Sequence, residues 1–360
     1  MGGGGAARTI LNIINYIDKE KFEPILVTLN FTYDYERFVH DDVTFIKLKT
    51  KRLRSAILPL AKLLRKERPD ILFSTVPTYN IVATLAKLLS FTKTTLIVRE
   101  AAYLGGTKKE NVKLKIYGLF YRLANKVIAL SEGVKENLIN RYGINDNKIR
   151  VIYNPVDLHH IEREMVSDLQ PDIQNICKKE SKIIVTAGRL VKEKDHFSLI
   201  QAFSLVTKQL NSELIILGEG ELETPLKDEA KRLQIENQVH FVGFKRNPYA
   251  IFKQADLFVL TSLTEGFGHV LVEAMATRTP VVSTKCKPGA VEVLDKGRYG
   301  LLCNVGDVAD IAEKMLTGLT MSEKERNEIV QDGLNRAKHF DANVIVKQYE
   351  TTFMAIMNDK

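Results

Sequence analysis

Cysteine is scarce in this 360-residue chain: Cys177, Cys286 and Cys303 are scattered, and none stands in a CxxC spacing. That excludes a disulfide framework and a zinc site, and it fits a reducing, cytoplasmic setting. Long apolar runs are also absent, since none approaches the roughly 18–20 residues that a membrane span needs. The first residues, MGGGGAARTIL, lack the charged start and apolar segment of a secretory leader. No low-complexity tract and no repeat at solenoid period interrupts the chain. Histidine offers little: His40, His159, His160, His240 and His339 read as surface or structural groups.

What is present is ordinary for a soluble globular protein, 45% hydrophobic and 27% charged, and long enough for two domains. The net charge of +8 is placed unevenly. Residues 1–160 hold 26 Lys and Arg against 15 Asp and Glu, and residues 161–360 hold 26 against 29. The basic excess is densest over 47–68, where Leu53, Ile57, Leu60 and Leu64 recur at helical spacing beside cations. Two readings stand for that segment. It is either a peripheral contact with anionic membrane or a surface helix packing its stripe on its own core. No nucleic-acid partner is expected.

Apolar runs alternate with helical patterns along the first half. Strands are expected at 25–29, 71–75, 96–98, 126–130 and 149–153, and helices at 7–17, 56–66, 80–89, 113–123 and 133–141. A polar stretch to about Ser181 reads as a linker with some helix. A second series follows, and it ends in helices near 308–316, 322–338 and 344–357. Such alternation predicts parallel, doubly wound α/β sheets. The expected division is 1–165, 166–340, and a C-terminal helix over 341–360 that returns toward the first domain. Gly2 to Gly5 open directly into a helix, so Gly4 and Gly5 suit a phosphate-cradling loop or else a plain terminus. A strand normally precedes such a loop and is expected to be missing here.

Residues 261–284, TSLTEGFGHVLVEAMATRTPVVST, organise the second half. A strand-like run leads into Glu265, Gly266, Phe267 and Gly268, then a short apolar helix. Gly266 and Gly268 allow close backbone approach, and the helix points its positive end at the same spot. Glu273 sits amid LVEAMA, where a buried carboxylate requires a ligand hydroxyl or a fixed donor. Gly188, Arg189 and Lys194 follow the strand IIVTA. The arginine fork and lysine point charge suit a diphosphate, with a surface ion pair as the plain alternative. Phe244 either frames a base or belongs to the core. His196 and His269 flank this group.

The Glu265-x7-Glu273 spacing resembles the signature of retaining family 4 glycosyltransferases of the GT-B fold. TAGRLVKEKD, LGEGELETPLK, VHFVGF and YNPVD resemble the same family, and the likeness spans essentially the whole chain. It implies two Rossmann-like domains facing each other across a cleft, with a UDP- or GDP-sugar held mainly by the second. Arg189 and Lys194 would take the diphosphate, and Glu273 the ribose hydroxyls. Glu265, with the amides of Gly266, Phe267 and Gly268, would hold the transferred sugar and the distal phosphate. The acceptor would be a glycan or a polyprenyl-linked glycan in capsule, lipopolysaccharide or related assembly. Catalysis would need no cofactor and no metal, and the sequence carries no DxD-type cluster. Where relatives place a histidine near the acceptor, this chain reads Arg99-Glu100. The glycine loop has Ala7 where many relatives carry an acid. A sugar-nucleotide epimerase of the same shape, and a non-catalytic sugar-nucleotide-binding partner, remain as rival readings.

Overall fold

The computed structural model describes residues 5–29, 34–50, 52–178 and 180–358. The chain divides into two units, residues 1–156 with 341–360, and residues 157–340. Unit 1 opens with α1 (Gly5–Tyr16), β1 (Ile25–Thr28), β2 (Thr44–Lys47), α2 (Ile57–Glu67), β3 (Ile71–Thr75), α3 (Pro77–Ser90) and β4 (Thr95–Glu100). It continues through α4 (Lys108–Tyr121), β5 (Lys126–Ala129), α5 (Glu132–Asn137) and β6 (Ile149–Val151). Unit 2 holds α6 (Leu158–Glu164), α7 (Pro171–Cys177), β7 (Lys182–Ala187), α8 (His196–Val206), β8 (Ser212–Leu217), α9 (Glu223–Arg232) and β9 (Val239–Gly243). Then come α10 (Tyr249–Gln254), β10 (Leu257–Leu260), α11 (His269–Ala276), β11 (Val281–Thr284) and α12 (Gly289–Val293). After them are β12 (Leu301–Cys303), α13 (Val308–Leu319) and α14 (Glu323–Lys338). The last helix, α15 (Ala342–Asn358), belongs to unit 1.

In unit 1, β3, β4, β5 and β6 form a parallel sheet in that order, and β1 pairs with β2 as a separate parallel pair. Among the described residues no strand precedes α1. The inner strand β4 is buried at every position, whereas the edge strand β3 is half-buried throughout despite its apolar sequence. Ile97, Ile128 and Ile152 pack with Ile13 and Ile17 of α1 and with Ile345, Val346, Tyr349 and Phe353 of α15. On the opposite helix layer, Leu60 and Leu64 of α2 pack with Val82 and Ala86 of α3, joined by Leu53 and Ile57. The apolar stripe within the basic 47–68 segment therefore faces the unit's own interior, as the surface-helix reading expects.

Unit 2 is a single parallel sheet ordered β12-β11-β10-β7-β8-β9. Its strands are near-continuous apolar runs, as a sheet with helices on both faces requires. Leu199, Phe203 and Val206 of α8 and Ile311 and Met315 of α13 fill one face against Ile184, Leu214, Ile216 and Val259. The polar stretch before Ser181 contains α6 and α7. The former packs on α10 and α11, with His160 edge-on to Tyr249 at 5.8 Å, so the units part after Val156.

Candidate functional site

Strands β7 and β10 are neighbours, with Leu257 opposite Ile184 and Phe258 opposite Val185. From β7 the chain builds outward one way through β8 and β9, and from β10 the other way through β11 and β12. The order thus reverses between β7 and β10, and parallel sheets bind ligands beyond the carboxyl ends of strands at such a point. The two loops leaving it are 188–195 and 261–268.

These loops are tied together. Leu263 N donates to the Glu193 carbonyl at 2.9 Å, and Thr261 Oγ1 donates to the Lys194 and Asp195 carbonyls at 3.1 and 3.0 Å. Across them Lys194 Nζ forms a half-buried ion pair with Glu265 Oε1, which also accepts from Ser262 Oγ at 2.8 Å. The Glu265 carbonyl accepts from Gly289 N at 2.9 Å. Arg189, five residues before Lys194, is exposed, and its guanidinium makes no hydrogen bond or ion pair among the described residues. A lysine held in place thus stands in the same loop as an unengaged arginine fork.

The glycines fix how tightly these loops stack. Gly218, after β8, has φ +136°, and a Cβ there would lie 1.9 Å from the Gly188 carbonyl oxygen. Gly268 caps α11 at φ +89°, a backbone that other residues rarely adopt. The Phe267 ring turns inward, edge-on to His269 and Phe340 at 5.3 and 5.2 Å, so only its backbone is on offer. Glu273, in the second turn of α11, is 2% exposed and already has a partner within the chain. Phe244 is 61% exposed, and its amide donates to Glu219 Oε1 at 3.4 Å. It is a surface aromatic rather than a core one.

Two groups beside the pair went unassigned in the sequence reading. Ser262 is one, and its position three residues before Glu265 was the available signal. The other is His196 at the start of α8, buried with Nδ1 lacking a partner. Burial, aided by Lys194, pushes its pKa down to about 4, so the imidazole is neutral at pH 7. Burial likewise raises the Cys286 thiol to about 11, with the Glu265 carboxylate adding to the shift. Among the described residues no group of three or more His, Cys, Asp or Glu is arranged to hold a metal.

In unit 1, Gly4 lies outside the described residues and Gly5 is the first residue of α1. Arg99 and Glu100, at the end of β4, are both fully buried. Arg99 donates from Nε to Tyr349 Oη at 3.1 Å, from Nη1 to Thr75 Oγ1 at 3.1 Å, and from Nη2 to Asn154 Oδ1. Glu100 Oε2 accepts from Tyr121 and Tyr142 hydroxyls at 2.8 and 2.9 Å, and Oε1 from the Ala101 and Ala102 amides. Burial raises the Glu100 pKa against those four donors. Neither residue reaches the surface, so both are placed to hold the end of β4 and not to touch a ligand directly.

Residues 171–336 match the family described as glycosyl transferases group 1, and residues 3–160 match glycosyltransferase family 4. Over 355 residues the chain is 29% identical to the N-acetylgalactosamine-N,N'-diacetylbacillosaminyl-diphospho-undecaprenol 4-alpha-N-acetylgalactosaminyltransferase of Campylobacter jejuni, covering 95% of this chain and 93% of the relative. Among solved structures, a glycosyltransferase from Rickettsia africae superposes with a TM-score of 0.84 at 18% identity, covering 100% and 97% of the two chains. Anabaena HepE in complex with UDP superposes at 0.81 and 22% identity, covering 98% and 96%.

Proposed function

The chain belongs to the group 1 glycosyltransferases of GT-B fold, and from there we propose that it is a retaining enzyme using a UDP-sugar donor. It moves a hexose or N-acetylhexosamine onto a glycan or polyprenyl-diphosphate-linked glycan during cell-surface polysaccharide assembly. The observation that carries this reading is the Lys194–Glu265 pair beside the unengaged Arg189, at the point where the unit 2 strand order reverses.

The residues divide by charge. Lys194 and Arg189 take the diphosphate and stabilise the negative charge that grows on it as the glycosidic bond breaks. The amides of Gly266, Phe267 and Gly268, at the positive end of α11, add to that stabilisation. Glu265 accepts hydrogen bonds from sugar hydroxyls while it keeps Lys194 aimed. Glu273 accepts from the ribose, and Phe244 lies against the base. The C1–O bond to the β-phosphate breaks and a C1–O bond to the acceptor forms on the same face. The acceptor proton leaves on the departing phosphate oxygen, giving UDP and the lengthened glycan.

The test combines binding with turnover. UDP and UDP-sugars raise the melting temperature of the wild type by mass action. Lys194→Ala and Arg189→Ala each weaken UDP binding at least tenfold. Lys194→Ala and Glu273→Ala abolish transfer to a polyprenyl-diphosphate glycan, with an unchanged circular dichroism spectrum. Retention is read from the anomeric coupling of the product by NMR. Conversion of UDP-N-acetylglucosamine alone into its isomer would instead identify an epimerase. Full turnover by Lys194→Ala would remove the assigned site.

A further inference from the structure

Two consecutive buried hydroxyl residues, Thr261 and Ser262, follow β10, and they reach different halves of the Lys194–Glu265 pair. Thr261 Oγ1 shares its proton between the Lys194 and Asp195 carbonyls at 3.1 and 3.0 Å, so it holds the backbone that carries the lysine. Ser262 Oγ instead donates to Glu265 Oε1 at 2.8 Å. The serine itself is anchored from β11, where Thr284 Oγ1 donates to the Ser262 carbonyl at 2.7 Å. The Glu265 backbone is anchored separately, by Gly289 N on its carbonyl at 2.9 Å. Both side-chain bonds of Glu265, from Ser262 Oγ and from Lys194 Nζ, converge on Oε1. Oε2 makes no hydrogen bond among the described residues and is open to solvent.

We propose that Ser262 is the positioning residue for the Glu265 carboxylate and Thr261 the one for Lys194, so that the sugar half and the diphosphate half of the donor site are set separately. This rests on the donor-site assignment above. A carboxylate held by a lysine alone can rotate and close both oxygens on the ammonium, because a point charge imposes no orientation. A second donor fixed on Oε1 removes that freedom and keeps Oε2 available to hydroxyls of the transferred sugar. The same arrangement keeps Lys194 available. Its ammonium has three N–H donors, and only one goes to Oε1, which leaves two for the diphosphate. Hydrogen bonds to an ionised acceptor are among the stronger ones, so a single serine hydroxyl suffices to hold the carboxylate. The Thr261 hydroxyl reaches only the Lys194 and Asp195 carbonyls and leaves Glu265 untouched.

Turnover and UDP binding in the full chain separate the two roles. Turnover is read as UDP release, with the UDP-sugar that most stabilises the wild type and a polyprenyl-diphosphate glycan as acceptor. UDP affinity is read by calorimetry. Ser262→Ala lowers kcat about tenfold or more, the scale of a lost bond to a charged group, and keeps UDP affinity within about twofold of the wild type. Ser262→Cys has nearly the same shape and a poor donor; it loses kcat likewise, and it decides the matter if the alanine variant fails to fold. Thr261→Val keeps the shape without the hydroxyl and does weaken UDP binding, about threefold or more. Wild-type kcat in the Ser262 variants overturns the proposal. So does a fall of kcat and UDP affinity together, which marks a loop merely loosened, and so does wild-type UDP affinity in Thr261→Val. Lys194→Ala distinguishes these failures from that of the donor site. If it is inactive while Ser262→Ala turns over normally, the donor site stands and the serine's role falls. If Lys194→Ala also turns over fully, the donor site itself is misassigned.

Discussion

His196 shows how a single side chain beside the site records its surroundings. Its imidazole is buried next to Lys194, and its pKa falls from 6.5 to about 4. The folded chain therefore binds that proton more weakly than the unfolded chain does. Stability from this group is complete above about pH 6.5 and is lost as pH falls toward 4. The shift corresponds to about 3 kcal/mol. Glu100 acts with the opposite sign, since its raised pKa favours the folded state as pH falls. It is common to any His196 variant, so it cancels in a comparison. Urea unfolding of wild type and His196→Asn between pH 7.5 and 4.5 is expected to give a shallower loss of stability in the variant. Equal slopes would mean that the imidazole is not held neutral by burial.

Among the elements, the loop after β8 is the tightest part of the site. A Cβ at Gly218 would collide with the Gly188 carbonyl, and φ +136° is itself costly for an alanine. Gly218→Ala is expected to lower stability by about 2–3 kcal/mol, as strained and overpacked positions do, and to weaken UDP binding. Gly106→Ala, whose Cβ would meet only a flexible Glu110 carboxylate at 3.8 Å, is the control and should melt close to the wild type. This loop also marks the limit of what the sequence disclosed. Arg189, Lys194 and Glu265 were legible because a cation pair and a glycine-flanked acid follow recognisable strands. Their places after strands of one sheet also suggest a shared site, but the direct Lys194–Glu265 pair is not legible, because it needs β10 to lie beside β7 across about seventy residues of chain. Strands β2 and β12 escaped notice because TFIK and LLC are too short to show a period, and their pairing is set by the sheet. The polar stretch before Ser181 reads as a linker with some helix, but the bounds of α6 and α7 are not legible because each buries little. The stripe at 53–64 is legible as helical, but periodicity cannot say which way its apolar face points, and the packing of α2 decides that.

At the scale of the whole molecule, the chain leaves unit 1 after Val156 and re-enters it at Asp341, where Ala342 N donates to the Val156 carbonyl at 2.8 Å. The returning helix α15 is part of the unit 1 core rather than an appendage. Phe353 packs on Phe22, Phe73 and Tyr349 at ring separations of 6.2, 5.8 and 6.0 Å, and Tyr349 Oη accepts from the buried Arg99. A contact 250 residues apart in sequence thus holds the end of β4. Removing an aromatic ring from such a core typically costs about 3–5 kcal/mol. Phe353→Ala is therefore expected to destabilise unit 1, although residue 353 follows unit 2 directly in the chain. Hydrogen exchange followed by mass spectrometry should show faster exchange in β4, β5 and β6 and unchanged protection in β7, β8 and β10. UDP should still protect the loops after β7 and β10 in the variant. The donor residues assigned here all lie in unit 2, whose core shares no side chain with the Phe353 cluster. If unit 2 lost protection to the same degree, the two units would unfold as one, and acceptor-side damage would be inseparable from loss of the donor site.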